Sequence, residues 1–105
     1  MTDKNTDVKL QRPTDFLILE CLAESGRNVA VNIAEEIDKS RSHVNVRLPQ
    51  LADYDLVRKV GPAENSGLYE ITELGRLAAR HKEEYGEVDD FADYLESLDL
   101  EDPED

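Results

Sequence analysis

The feature that most restricts this chain is a pair of short apolar patterns separated by only a few residues. In "NIAEEIDKSRSHVNVRLPQL", Asn32 to Leu51, the residues Ile33, Ala34 and Ile37 recur at helical spacing, and Val44, Leu48 and Leu51 then recur at i, i+4 and i+7. Asn32 is the expected cap of the first of these helices, with Glu35 three positions on completing a capping box. "DKS" is a tight connection, and Ser40 is the expected cap of the second. Two closely joined helices, the second of them amphipathic, make a helix-turn-helix.

The flanks extend this unit. Thr14 is the expected cap of an earlier helix, "DFLILECLAES", which carries Ile18, Cys21 and Leu22 on one face and stops at Gly26. "NVAV", Asn28 to Val31, is β-favouring but long enough only for a minimal strand. Behind the helix pair, "LVRKV" and "LYEI" read as two strands joined by the turn-rich tip "GPAENSG". Thr72 then caps a fourth helix, "ELGRLAARHKEEY", with Leu74, Leu77 and Ala78 inward and Gly75 weakening it slightly. The expected fold class is α+β, mainly α: a three-helix core, a two-stranded wing and additional C-terminal helices. Residues 1–12, polar and without hydrophobic period, are expected to be a flexible arm, 13–82 the winged domain, and 83–105 an acidic, partly helical tail. After Leu100 there is no apolar pattern, and disorder is expected.

A net charge of -13 argues at first against a polyanionic partner. Its distribution reverses the argument. From Glu83 onward there are twelve acids and no Lys or Arg, which leaves residues 1–82 with thirteen acids against twelve bases. Lys39 to Arg47 holds three bases and no acid.

The order of elements and the stretches "NIAEEIDKSRSHVNVRLPQLADYDLVRKV" and "GLYEITELGR" resemble the winged helix-turn-helix transcription regulators, in particular the short archaeal regulators related to a halophage repressor within the broad MarR and ArsR superfamily. The resemblance covers about Pro13 to Arg80 and includes "RLPQLADY", in which Pro49 removes a helical N–H and is expected to bend the helix. It departs at Asp55, where such regulators commonly have glycine; aspartate tolerates a left-handed backbone better than most residues. The acidic excess with only five lysines is also similar to proteins of halophilic archaea.

The resemblance implies double-stranded operator DNA as partner, the third helix in the major groove, the wing on the flanking backbone, and a homodimer acting as a repressor. Turning Val44, Leu48 and Leu51 inward, at about 100° per residue, directs Ser42 and Val46 outward with His43 and Asn45 beside them and Arg41 and Arg47 flanking. Asn45 suits adenine, Ser42 several bases, Val46 a thymine methyl, and Arg41 or Arg47 guanine or phosphate. With the cap Ser40 these form the expected reading set; otherwise they are ordinary solvated helix positions. On the wing, Arg58, Lys59, Asn65 and Ser66 are expected at phosphate or minor groove, or else on a plain solvated hairpin. Asn32 is explained by capping alone, although amides there could meet a phosphate. In the tail, Val88, Phe91, Tyr94, Leu95 and Leu98 fall near one helical face, which either joins two copies or packs back on its own domain.

Other functions find little support. Cys21, the one cysteine, lies on an apolar stripe and reads as a buried structural thiol. Two histidines 38 positions apart have no metal-ligand spacing, so no metal and no cofactor are expected. No phosphate loop, nucleophile elbow or zinc-protease motif occurs, and the chain is not expected to be an enzyme. With no membrane-length apolar run and no signal-peptide pattern, a cytoplasmic protein without a membrane partner is expected. The alternative function is a protein-interaction module on a winged-helix scaffold, its acidic tail engaging a basic partner.

Overall fold

The computed structural model describes residues 9–61, 67–88 and 90–101. Along the chain lie α1 (Thr14–Ser25), β1 (Asn28–Val29), α2 (Ala30–Ile37), α3 (Arg41–Asp53), β2 (Val57–Lys59), β3 (Leu68–Ile71), α4 (Glu73–Arg80), a 3-10 turn (Lys82–Glu84) and α5 (Phe91–Glu101). This is the expected mainly helical winged helix-turn-helix, with one addition. β1 joins the wing, so the antiparallel sheet has three strands in the order β1-β3-β2. Its register sets Asn28 opposite Tyr69 on one side, and Arg58 opposite Glu70 on the other.

α1 is the central helix. Phe16, Ile18, Leu19, Cys21 and Leu22 are all buried, so it is covered around most of its circumference rather than along the single stripe the periodicity indicates. α2, α3, α4 and β3 pack around it. Val44, Leu48 and Leu51 of α3 meet it as expected, each at most 1% exposed. Burial of each such side chain contributes roughly 1.5–3 kcal/mol.

Two caps hold and two do not. Ser40 Oγ accepts from the His43 amide (3.1 Å), and Thr72 Oγ1 accepts from the Gly75 amide (3.0 Å). Thr14, however, is the buried first residue of α1, and Pro13 precedes it without a side-chain cap. The neighbouring Asp15 turns back instead and accepts from the Gln11 amide at 2.7 Å. α2 starts at Ala30, two residues before Asn32, so the capping box is absent. Asn32 donates through Nδ2 to Asn28 Oδ1, which also accepts from the Val29 amide. The turn from α2 to α3 is made by Asp38 in the left-handed region (φ 62°), and the exit of α3 by Asp55 (φ 66°).

The structure differs from two further expectations and shows one of the two readings of the tail. The arm expected over 1–12 is packed at its described end, where Leu10 is buried in the core. Residues 1–8, like residues 102–105 on which the expectation of terminal disorder falls, lie outside the described part. The fourth helix ends at Arg80 and continues as a 3-10 turn. The tail folds onto its own domain: Phe91 and Leu95 are buried, and Phe91 sits edge-on to Phe16 (6.4 Å) and Tyr85 (5.2 Å). Val88, Tyr94 and Leu98 are half-buried against the same core.

Gly75 is more than a weak point in a helix. A Cβ there would overlap the Leu56 carbonyl oxygen and lie 2.7 Å from Ile71 Cγ1, so α4 reaches the wing base only because the side chain is missing. Gly75→Ala should therefore cost about 3 kcal/mol, outweighing its helix-propensity gain of about 1 kcal/mol. Phe91→Ala should cost about 3–5 kcal/mol. Urea unfolding followed by circular dichroism measures both; a tail that merely trails from the domain would leave the second variant as stable as the parent.

Candidate nucleic-acid interface

α3 presents its side chains in three rows. Arg41, Asn45 and Pro49, at successive i+4 steps, face a groove whose other walls are Val29, Ala30 and Val31 at the start of α2, and Lys59, Gly67 and Tyr69 of the wing. Ser42 and Val46 form the outermost row. Val46 is 66% exposed, a large apolar side chain held in the open by a helix whose opposite face is fully buried. His43 and Arg47 form the third row, and it turns away from the wing.

That third row departs from expectation. Arg47 is buried, and its guanidinium makes a two-point ion pair with Asp15, Nε to Oδ1 at 2.9 Å and an Nη to Oδ2 at 2.8 Å. Asp15 is completely buried. Hydrogen bonding to Asp15 pushes the Arg47 pKa further up despite burial, so the arginine stays charged. Arg47 is thus a buried core residue, where the sequence led to an exposed position flanking the outward face of α3. The sequence does contain the signal: on the α3 wheel Arg47 lies only about 65° from the centre of the Val44, Leu48 and Leu51 stripe. What was missing was its partner, 32 residues earlier in the chain.

The other expected residues occupy more varied positions. Arg41, Ser42, Asn45 and Val46 are exposed together, with Ser40 exposed at the helix start. His43 is half-buried, and its Nε2 lies 3.0 Å from Gln11 Oε1. Arg58 is exposed at the wing edge and pairs with Glu70, which Arg27 also approaches at 3.6 Å. Lys59 is exposed on the groove wall. Asn65 and Ser66 lie outside the described residues. Sequence reading missed the contribution of Val29 to Val31 and Tyr69 to the groove, because it depends on β1 pairing with β3, far away along the chain.

An exposed Ser42 and Val46, neighbouring amide and guanidinium groups, and a groove with a cation on each wall thus lie together on the outer face of a protein of winged helix-turn-helix architecture. Comparison with known proteins agrees. Residues 11–58 match the family model described as winged helix-turn-helix DNA-binding. A zinc-responsive MarR family member, ZitR of Lactococcus lactis, is similar in structure: 24% identity and TM-score 0.59, covering 95% of this chain and 69% of that one. Wild-type ZitR in complex with DNA gives 25% identity and TM-score 0.61, covering 95% of this chain and 68% of that one. A ZitR variant in complex with DNA gives 26% and 0.58, covering 98% and 70%. No curated protein matches the sequence.

Among the described residues no three His, Cys, Asp or Glu groups come together in a way that could hold a metal. Cys21 is buried, 3.7 Å from Glu36 Oε1, and burial followed by the charge of Glu36 pushes its thiol pKa up. His81 lies 3.7 Å from Glu84 and edge-on to the Tyr94 ring.

Two measurements check these assignments. Arg47→Ala or Asp15→Ala alone should each cost about 3–5 kcal/mol, whereas Asp15→Leu with Arg47→Met should recover most of that loss. Chemical denaturation of the three variants decides it, and three equal losses would contradict a buried pair. Native Cys21 should react with a disulfide reagent far more slowly than the denatured chain. Its raised pKa also means that the unfolded thiol ionises first, so stability falls as pH rises past the ordinary thiol value.

Proposed function

We propose that this protein is a transcription regulator that binds double-stranded DNA sequence-specifically, a repressor working as a homodimer with α3 in the major groove. The observation that carries this reading is the outward face of α3, where Arg41, Ser42, Asn45 and Val46 stand exposed beside the wing. Each has a fitting base-edge partner: Asn45 an adenine, Val46 a thymine methyl, Ser42 several bases, and Arg41 a guanine or a phosphate. On this reading one sugar-phosphate strand follows the groove between α3 and the wing, whose lining includes Arg41 on one wall and Lys59 on the other. DNA-bound relatives of the same fold support the arrangement.

Occupancy of a promoter by such a body excludes other proteins, which is how repression would be exerted. Half-buried Val88, Tyr94 and Leu98 on the outer side of the C-terminal segment are the positions offered to a second copy, while Phe91 and Leu95 are consumed by the protein's own core. The site of action is the cytoplasm; no described helix is long and apolar enough to cross a membrane. The acidic composition fits a halophile's salty interior, where base contacts and shape contribute more of the binding than phosphate contacts do.

A second reading rests on the twelve acids from Glu83 onward: a protein-interaction module whose acidic tail engages a basic partner, with DNA binding weak. One experiment separates the two. DNA selected from a random pool by the full-length protein is titrated against wild type and Arg41→Ala/Asn45→Ala. The double variant should lose about a hundredfold in affinity, since each base contact is worth roughly 1–3 kcal/mol. Equal binding would favour the interaction module. The dependence on salt should be shallow; a slope equivalent to about ten phosphate contacts would contradict so few bases. Mass measurement on the DNA complex should give two copies on a two-fold site.

A further inference from the structure

Opposite the wing, the recognition helix has a second neighbour. Residues 9–12 run beside the His43 and Arg47 row, and their contacts extend from His43 to Tyr54, the residue that follows α3. At its C-terminal end the Lys9 amide donates to Tyr54 Oη (3.1 Å), and that hydroxyl donates back to the Lys9 carbonyl (3.3 Å). In the middle, Arg47 reaches the Lys9 carbonyl at 3.4 Å. Near the N-terminal end Gln11 Oε1 lies 3.0 Å from His43 Nε2.

The same four residues are fixed from behind. The Leu10 amide donates to Tyr85 Oη (2.8 Å), which donates back to the Leu10 carbonyl (3.3 Å), while the Leu10 side chain is buried. Asp15 holds the Gln11 amide, and the Arg12 guanidinium carbon lies 5.3 Å from the centre of the Tyr85 ring. A four-residue segment outside any helix or strand thus touches α3 at three heights and is anchored to α1 and to the C-terminal segment.

We propose that residues 9–12 are a positioning strap for base reading: they hold α3 at the rotation that keeps Ser42 and Val46 outward, and Gln11 sets the orientation of the His43 ring at the edge of the reading face. The proposal rests on α3 being the DNA-reading helix. A helix gripped along one side by the wing base and along the other by the strap has little freedom to roll. A roll of even one row would replace Ser42 and Val46 by His43 and the buried Arg47. Gln11, Tyr54 and Tyr85 are therefore specificity-determining without themselves needing to meet a base.

The test compares wild type, Gln11→Ala and Tyr54→Phe/Tyr85→Phe for affinity to a DNA selected by the wild-type protein, for affinity to unrelated DNA, and for thermal stability. Gln11 is exposed, so Gln11→Ala should leave the melting temperature unchanged yet lower the ratio of selected to unrelated affinity by about fivefold. The tyrosine pair should lower that ratio further, with the salt slope unaltered because no phosphate contact is lost. If wild type selects DNA and both variants keep its ratio, or if any loss simply follows the melting temperature, the strap has no positioning role and the DNA reading stands. If wild type selects no DNA, the reading itself falls, and the strap proposal with it.

Discussion

The ion pair between Asp15 and Arg47 is the contact on which the rest of this arrangement turns. It joins the first turn of α1 to the middle of α3 inside the core, with the carboxylate fully buried and both oxygens engaged. Two charges brought out of water require each other and further hydrogen bonds. Here the further bonds come from the chain just ahead of α1, where the Gln11 amide donates to Asp15 and the Lys9 carbonyl accepts from Arg47. A single buried pair thereby sets the position of α3 against α1 and draws the N-terminal segment down beside both. A purely apolar contact would tolerate a helix sliding or rolling by a fraction of a turn; a two-point pair tolerates much less.

With that row of α3 committed to the core, the rest of the helix is free for other work. Arg41, Asn45 and Pro49 face the groove, and Ser42 and Val46 face outward. The positive patch legible between Lys39 and Arg47 is therefore smaller than its three bases suggest, because one of them is neutralised internally. Arg58 is similarly tied to Glu70 across the wing. On the proposed function, what remains at the surface suits shape and hydrogen-bond readout better than strong, indiscriminate attraction for phosphate, in keeping with the acidity of the whole chain.

Much of this was legible in the sequence wherever the signal was local. The caps Ser40 and Thr72, the stop at Gly26, the left-handed Asp55 and the stripe of α3 all depend on neighbours a few residues away, and all occur. The failures share a different property. Arg47 is expected among the DNA-reading residues because it flanks the outward face of α3, and Asp15, 32 residues earlier, gives no local sign of lying against it. Residues 9–12 lack any apolar period because what holds them is backbone, two distant tyrosine hydroxyls and one leucine. Asn32 lost its capping role because β1 pairs with β3 and α2 starts early to follow it. For the tail, periodicity correctly identified an apolar face but could not say which surface would cover it.

The base of the wing is closed by a small knot of backbone. Thr72 donates through its amide to the Leu56 carbonyl and through its hydroxyl to the Asp55 carbonyl, and Gly75 lets α4 press against the same Leu56 oxygen. The hairpin thus begins and ends at one fixed point on the helical body. Lengthening it beyond the β2–β3 ladder would leave the pairing of β3 with β1 and its packing on α1 in place, and the closure entropy grows only slowly, by about 0.6 kcal/mol for each doubling of loop length. The wing is in this sense a separately adjustable finger, whose reach can be altered over generations while the hand that carries it stays unchanged.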